Sequence, residues 1–312
     1  MKSLKLTKSE EGITLVKYLK KVFKTMPNSL FQKLLRKKYF EINNKKAGGN
    51  EILHAGDVVS IYLSDETFEK FYDNLSSDSS EKSTKSLPDI SDRIVYEDDN
   101  VIIFNKPVGM LSQGDKSGDE SVNTVLNKYL GIQNSTFKAS VVNRLDRNTE
   151  GLIIFAKTYV AAREISKMIK NGLIEKRYKA TINGILEEDS GELVNLFKKD
   201  ERDNKAIIKE YNGKIINGYS LIKLKYKVIK KTKATEDIDI DLITGKSHQI
   251  RAQFSYIGHP LISDKKYMDL DLYRKNVKES GLKSQKLICY KIKFGKFDEE
   301  SLNNLSNKIF KI

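Results

Sequence analysis

Cysteine occurs once in the 312 residues, as Cys289, and tryptophan does not occur at all. A single thiol excludes an intrachain disulfide and any zinc site built from cysteine pairs. Histidine is nearly as scarce: His54, His248 and His259 form no ligand cluster, so no metal is expected. No apolar run approaches the roughly 18 residues of a membrane-spanning helix. The opening Met1-Lys-Ser-Leu-Lys-Leu-Thr-Lys8 has no apolar core of the signal-peptide kind. A glycine-rich strand-to-helix loop, the usual cradle for a nucleotide cofactor, is missing too. These absences lead to the expectation of a cytoplasmic protein, a monomer, without cofactor, metal or membrane partner.

What the chain has in excess is positive charge, a formal +14 at neutral pH. That surplus favours a polyanionic partner, because every neutralised phosphate releases counterions. A coding bias toward Lys, Ile and Asn would also raise the charge, but it would spread it evenly. Instead residues 1–64 hold 13 Lys and Arg against 5 Asp and Glu, while residues 65–92 hold 3 against 8. Segregation of this sort points to nucleic acid.

The same segregation suggests the domain organisation. Within residues 1–64, Leu15, Leu19 and Val22 recur at i, i+4 and i+7, an amphipathic helix with lysines outside. After Pro27, Ser29 is a candidate cap for a second helix, Leu30 to Lys38, that presents Lys33, Arg36 and Lys37. Short strands follow around Lys45, Lys46 and the segment 55–63. From 65 to 88 the periodicity dissolves into a Ser-rich acidic stretch, read as a flexible linker. Residues 89–312 form the large domain.

That domain turns on Ala139-Ser-Val-Val-Asn-Arg-Leu-Asp-Arg-Asn-Thr-Glu-Gly-Leu-Ile-Ile-Phe-Ala-Lys157. Two β-prone runs flank a polar hinge holding Arg144, Asp146 and Arg147, which reads as strand, tight loop, strand. An acid between two arginines has a stabilised anion. It suits a nucleophile or charge stabiliser better than a proton donor. Upstream, residues 94–111 read as a hairpin ending in Lys106-Pro107, with Lys106 either touching a phosphate or solvated. Downstream come a Thr158-capped helix to Asn171, a strand over 175–184, strands at 205–210, 219–230 and 237–242, and a Ser247-capped helix ended by Gly258. On that last helix Arg251 falls in the first turn, away from the face of Ile250, Phe254 and Ile257.

The order of elements in residues 12–64, with Arg36-Lys-Lys-Tyr-Phe-Glu-Ile-Asn-Asn-Lys-Lys46 and Ala55-Gly-Asp-Val-Val59, resembles the S4 RNA-binding domain. Asn143-Arg-Leu-Asp-Arg-Asn-Thr-Glu-Gly-Leu152, Lys176-Arg-Tyr-Lys-Ala180 and Leu242-Ile-Thr-Gly-Lys-Ser-His-Gln-Ile-Arg251 closely resemble the RluA family of pseudouridine synthases. Gly258-His-Pro-Leu-Ile-Ser-Asp-Lys-Lys-Tyr267 and Leu287-Ile-Cys-Tyr-Lys-Ile-Lys-Phe294 resemble its last two motifs. The charged insertion at 269–276 looks most like the C-type, or D-type, large-subunit ribosomal RNA enzymes.

The resemblance implies an α+β pseudouridine synthase fold, with a mixed, largely antiparallel central sheet flanked by helices and preceded by the small S4 domain. It implies an isomerase that converts uridine to pseudouridine in RNA, most simply 23S ribosomal RNA, with transfer RNA as the other candidate. Asp146 matches the essential aspartate, Tyr178 the tyrosine that stacks on the base and is expected to help remove the C5 proton, and Arg251 the arginine paired with the aspartate. Arg144 matches an arginine filling the gap left by the displaced base, and Leu287 an apolar lining of the base pocket. RNA contacts are expected from Lys33, Arg36, Lys37, Lys45, Lys46, Lys106 and Arg147. Asn143 stands where many members have His, Glu150 where Ser or Thr is frequent, and Met268 and Ile288 also depart from the pattern. A non-catalytic ribosome-assembly factor of the same fold is the competing reading.

Overall fold

The computed structural model describes residues 1–72, 90–131 and 137–312. The N-terminal part contains β1 (Lys2–Lys5), α1 (Leu15–Val22), α2 (Asn28–Arg36), β2 (Phe40–Ile42), β3 (Lys45–Lys46), β4 (Val58–Ile61) and α3 (Asp65–Phe71). Its four strands pair antiparallel in the order β1-β4-β2-β3. The apolar stripes fold inward as their spacing requires: α1 buries Leu15, Leu19 and Val22, and α2 buries Phe31, Leu34 and Leu35. Pro27 itself holds the cap position of α2 with φ −56°, so Ser29 lies inside the helix instead of capping it.

The stretch expected to be linker from residue 65 begins as helix. Ser64 caps α3 by accepting from the Thr67 amide, and Phe68 packs edge-on against Phe23, with ring centroids 5.7 Å apart. Tyr72 stacks on Phe68. Aromatic burial outweighs the acidic composition here and moves the boundary past residue 71. Residues 73–88 of that stretch lie outside the described residues.

The large part runs through β5 (Ile94–Glu97), β6 (Val101–Lys106), α4 (Val122–Tyr129), β7 (Ser140–Val141), β8 (Glu150–Ala156), α5 (Tyr159–Lys170) and β9 (Ile174–Asn183). It continues with β10 (Ser190–Asp200), β11 (Lys205–Glu210), β12 (Ser220–Lys231), β13 (Thr235–Asp241), α6 (Gln249–Tyr256), α7 (Leu270–Ser280), β14 (Leu287–Phe294) and β15 (Ile309–Lys311). These strands form one sheet in the order β11-β10-β12-β13-β9-β14-β8-β6-β5, with β15 beside β14 and β7 beside β8. Every pairing is antiparallel except β14 with β8, so the sheet is mixed and largely antiparallel, as expected.

β8 explains why its sequence shows no alternation. Leu152, Ile154 and Ala156 face a core shared with α5 and β9, while Ile153 and Phe155 face a second core with α4. A strand covered on both faces needs apolar residues throughout. Thr158 and Ser121 cap α5 and α4 through their side chains. Ser247 does not cap α6: that place belongs to His248, in the left-handed region with φ 57°. α6 is buried nearly all round, Arg251 included, because the β10–β11 ribbon covers the side that periodicity alone leaves to solvent. Among the described residues no helix is long and apolar enough to cross a membrane.

Candidate active site

The loops after β6 and between β7 and β8, the end of α5, the first half of β9, the first turn of α6 and the start of β14 line one open cavity of about 1370 Å³. The loop between β7 and β8 forms part of its wall and carries Asp146. Four anchors hold this loop. Asn143 Oδ1 accepts from the Ile154 amide at 2.7 Å, and Ser112 Oγ both donates to Leu145 O and accepts from Leu145 N. The Arg147 carbonyl accepts from the Gly109 amide at 2.9 Å and from Lys106.

Lys106 corrects the expectation of a phosphate contact. Its side chain is wholly buried, and Nζ donates to the carbonyls of Pro107, Met110 and Arg147, each at 3.0 Å. The turn after β6 and the loop between β7 and β8 together wrap carbonyls around the ammonium, and no face remains for RNA. Burial pushes the lysine pKa down to about 8, against the upward pull of Asp146 and Glu150.

The arginines flanking Asp146 in sequence do not hold it. Arg147 turns outward, where Nε donates to Gly109 O at 3.1 Å and Nη1 pairs with Asp119 at 2.8 Å. Arg144 is exposed at the cavity. Asp146 is instead pinned from 105 residues away: Arg251 Nη1 donates to its Oδ2 at 2.8 Å. The guanidinium's other edge is taken by Asp264, which lies in a turn following α6. Burial works against the arginine's charge, but the bonds and charges of Asp264 and then Asp146 outweigh it and raise the pKa further.

Tyr178 on β9 and Leu287 on β14 complete the wall, and both are buried. Burial raises the Tyr178 phenol well above its ordinary pKa, and the neighbouring Cys289 and Asp146 push the same way. The hydroxyl therefore stays protonated at neutral pH. Tyr267 lies over the Arg251 guanidinium, 5.1 Å from ring centroid to cation, and its hydroxyl meets His248 Nδ1 at 2.9 Å. Burial lowers the His248 pKa, with Asp146 opposing, which leaves the imidazole neutral near pH 7. Lys33, Arg36, Lys37, Lys45 and Lys46 are exposed on α2, just past its end and on the β2–β3 hairpin, remote in sequence from the cavity residues.

Sequence reasoning brought Asp146, Tyr178, Arg251, Leu287 and Arg144 to one place, and the structure gathers all five at the cavity. It passed over Asp264 and Tyr267, although both sit inside the stretch 258–267 quoted as a motif. The available signal was an acid and an aromatic in a turn just after the arginine-bearing helix.

An open cavity beside a large mixed sheet, its wall holding a carboxylate that a buried arginine orients, has the form of an active site with room for a bulky substrate. Residues 100–256 match the family described as RNA pseudouridylate synthase, and the chain belongs to it. It is an RNA pseudouridine synthase, an isomerase. The "Ribosomal large subunit pseudouridine synthase C" of Rickettsia bellii is 32% identical over 260 residues, covering 80% of this chain and 81% of that protein. An "Uncharacterized RNA pseudouridine synthase" of Mycoplasma capricolum is 29% identical and spans 97% of this chain and 95% of its own length. In fold the chain is similar to human RNA pseudouridylate synthase domain containing 4, with a TM-score of 0.54 at 18% identity, over 66% of this chain and 85% of that one.

Proposed function

We propose that this enzyme isomerises uridine in large-subunit ribosomal RNA, with Asp146 as the reactive carboxylate. The observation that carries the reading is the 2.8 Å bond from the buried Arg251 to Asp146 at the cavity wall. Relatives named for the large ribosomal subunit support the choice of RNA. A uridine stacked in RNA hides its glycosidic carbon, so the base flips into the cavity at a cost of a few kcal/mol. Tyr178 stacks on the flipped base, Leu287 lines its pocket, and Arg144 fills the gap left in the RNA.

The ionised Asp146 then serves either of two routes, attack on C1′ or removal of the C2′ proton. Both break the N1–C1′ bond, after which the uracil rotates and rejoins C1′ through C5. The C5 proton leaves last, and nothing is oxidised or reduced. Tyr178, protonated as it is, acts through its ring and not as a ready anionic base. Residues 1–64, extended to the end of α3, act as an S4-like RNA-binding domain whose exposed Lys33, Arg36, Lys37, Lys45 and Lys46 contact phosphates.

RNA tritiated at uridine C5 tests this directly. Tritium release from large-subunit ribosomal RNA is expected, and Asp146→Asn is expected to abolish it while RNA affinity is kept. Release from transfer RNA alone would move the substrate, and undiminished release by Asp146→Asn would remove the carboxylate from its role.

A further inference from the structure

Arg251 serves two carboxylates at once, and the second belongs to no part of the chemistry described so far. Its Nε and Nη2 donate to Asp264 Oδ2 and Oδ1 at 2.7 and 2.8 Å, leaving Nη1 for Asp146. Asp264 has no solvent exposure, whereas Asp146 keeps 24% of its side-chain surface open to the cavity. The Asp264 carboxylate also accepts from the Lys266 amide at 3.1 Å. The turn bearing it is fixed by the left-handed Ser263, φ 58°, whose amide donates to Asn276 Oδ1 at 3.1 Å.

Two physical consequences follow. A fork-to-fork pair between guanidinium and carboxylate fixes the guanidinium plane, so Nη1 has one direction in which to point. The three charges also sum to minus one. An arginine facing Asp146 alone would stabilise that anion and lower its basicity. With Asp264 already matching the positive charge, Arg251 gives Asp146 direction without itself adding a net positive charge beside it, although Lys266 also lies within electrostatic reach of all three groups. A carboxylate left ionised suits a step that builds positive charge at C1′ or withdraws a proton from C2′.

We propose that Asp264 is a positioning residue of this enzyme, setting the plane of Arg251 and offsetting its charge so that Asp146 is aimed but not quenched. The inference rests on the reading of Asp146 as the reactive carboxylate. With no exposed surface and both oxygens engaged by Arg251, Asp264 acts through the arginine.

The test is tritium release by Asp264→Asn, by Arg251→Gln and by the double variant, with melting temperature measured alongside. Asp264→Asn is expected to lower kcat by about 100-fold, the scale of a misplaced reacting group, with KM changed less than about threefold. The double variant is expected to match Arg251→Gln within about twofold, because residues acting as one unit do not add. A role in stability alone would lower the melting temperature and leave kcat per folded molecule intact, whereas a role in turnover independent of Arg251 would make the two losses multiply. Either an unchanged kcat or multiplying losses would overturn the inference. Should Asp264→Asn not fold, Asp264→Glu keeps the charge but displaces it by a methylene; it is expected to lose kcat at constant KM, and a wild-type kcat would be equally decisive against the proposal. An active Asp146→Asn sinks the underlying reading, whereas an inactive Asp146→Asn beside a fully active Asp264→Asn sinks this inference alone.

Discussion

Gly151 lies directly against the main chain of Cys289, where β8 and β14 run parallel. A Cβ on Gly151 would stand 2.7 Å from the Cys289 nitrogen and 2.8 Å from its carbonyl carbon, and the glycine's φ is +114°. Gly151→Ala is therefore both overpacked and strained. It is expected to cost about 2–4 kcal/mol in urea unfolding and to cut tritium release, because the Asp146 loop leads straight into this residue. A variant as stable as the wild type would show that the strands can part without loss.

Lys106→Met removes the donor shared by three carbonyls and is expected to destabilise the protein by about 2–4 kcal/mol. The effect carries a pH signature. Burial brings the folded lysine to about 8 from its ordinary 10.5. Between those values the unfolded chain holds a proton that the folded protein has released, so the lysine's contribution to stability rises with pH, by up to about 1.4 kcal/mol per unit. The gap in unfolding free energy between wild type and Lys106→Met should widen from pH 8 to pH 10. A constant gap would mean that the buried amine keeps an ordinary pKa.

Tyr178→Phe keeps the ring and loses only a hydroxyl that burial holds protonated. KM is expected to stay within about threefold and the shape of the kcat–pH profile between pH 6 and 10 to be unchanged. Tyr178→Ala should lose the stacking and raise KM. A limb in the wild-type profile that vanishes in Tyr178→Phe would reveal an ionising phenol and contradict the reading of a neutral one.

Replacing Lys33, Arg36 and Lys37 together by Ala should weaken RNA binding and reduce the slope of log K against log salt by about 2, as three lost phosphate contacts require. Turnover at saturating RNA should change less than about threefold. Filter binding across a salt series measures the first, and tritium release the second. An unaltered salt slope would place the RNA on another surface.

Much of the fold was legible because its determinants are local. Thr158 caps where a short polar side chain before an apolar stripe should cap, and the strands at 205–210 and 237–242 lie within two residues of their expected bounds. Asp146 and Arg251 were legible as motifs. What escaped was set by surroundings that sequence order hides. Arg144, Asp146 and Arg147 look like a cluster by spacing alone; Asp146 meets Arg251 on α6, a pairing that only the family resemblance implied, and Arg147 turns outward. Lys106 resembles any lysine at a strand end until the turn after it supplies two carbonyls and the loop bearing Asp146 a third. Asp264 has no hydropathy signature, and its partner lies on the preceding helix, so only the packed structure shows the pair. The aromatic residues 68 and 72 were visible, but their acidic neighbours disguised a helix as linker.

The parallel pairing of β8 with β14 also has a consequence during synthesis. The N-terminal unit draws its buried core wholly from Leu6 to Phe68, so it can close as soon as that segment leaves the ribosome. The cavity cannot, since Leu287 and Cys289 must first slot between β8 and β9. A chain still being translated thus acquires the part proposed to grip RNA more than 200 residues before the part that alters it. On that proposal, RNA met in the interval would be gripped by a chain not yet able to alter it.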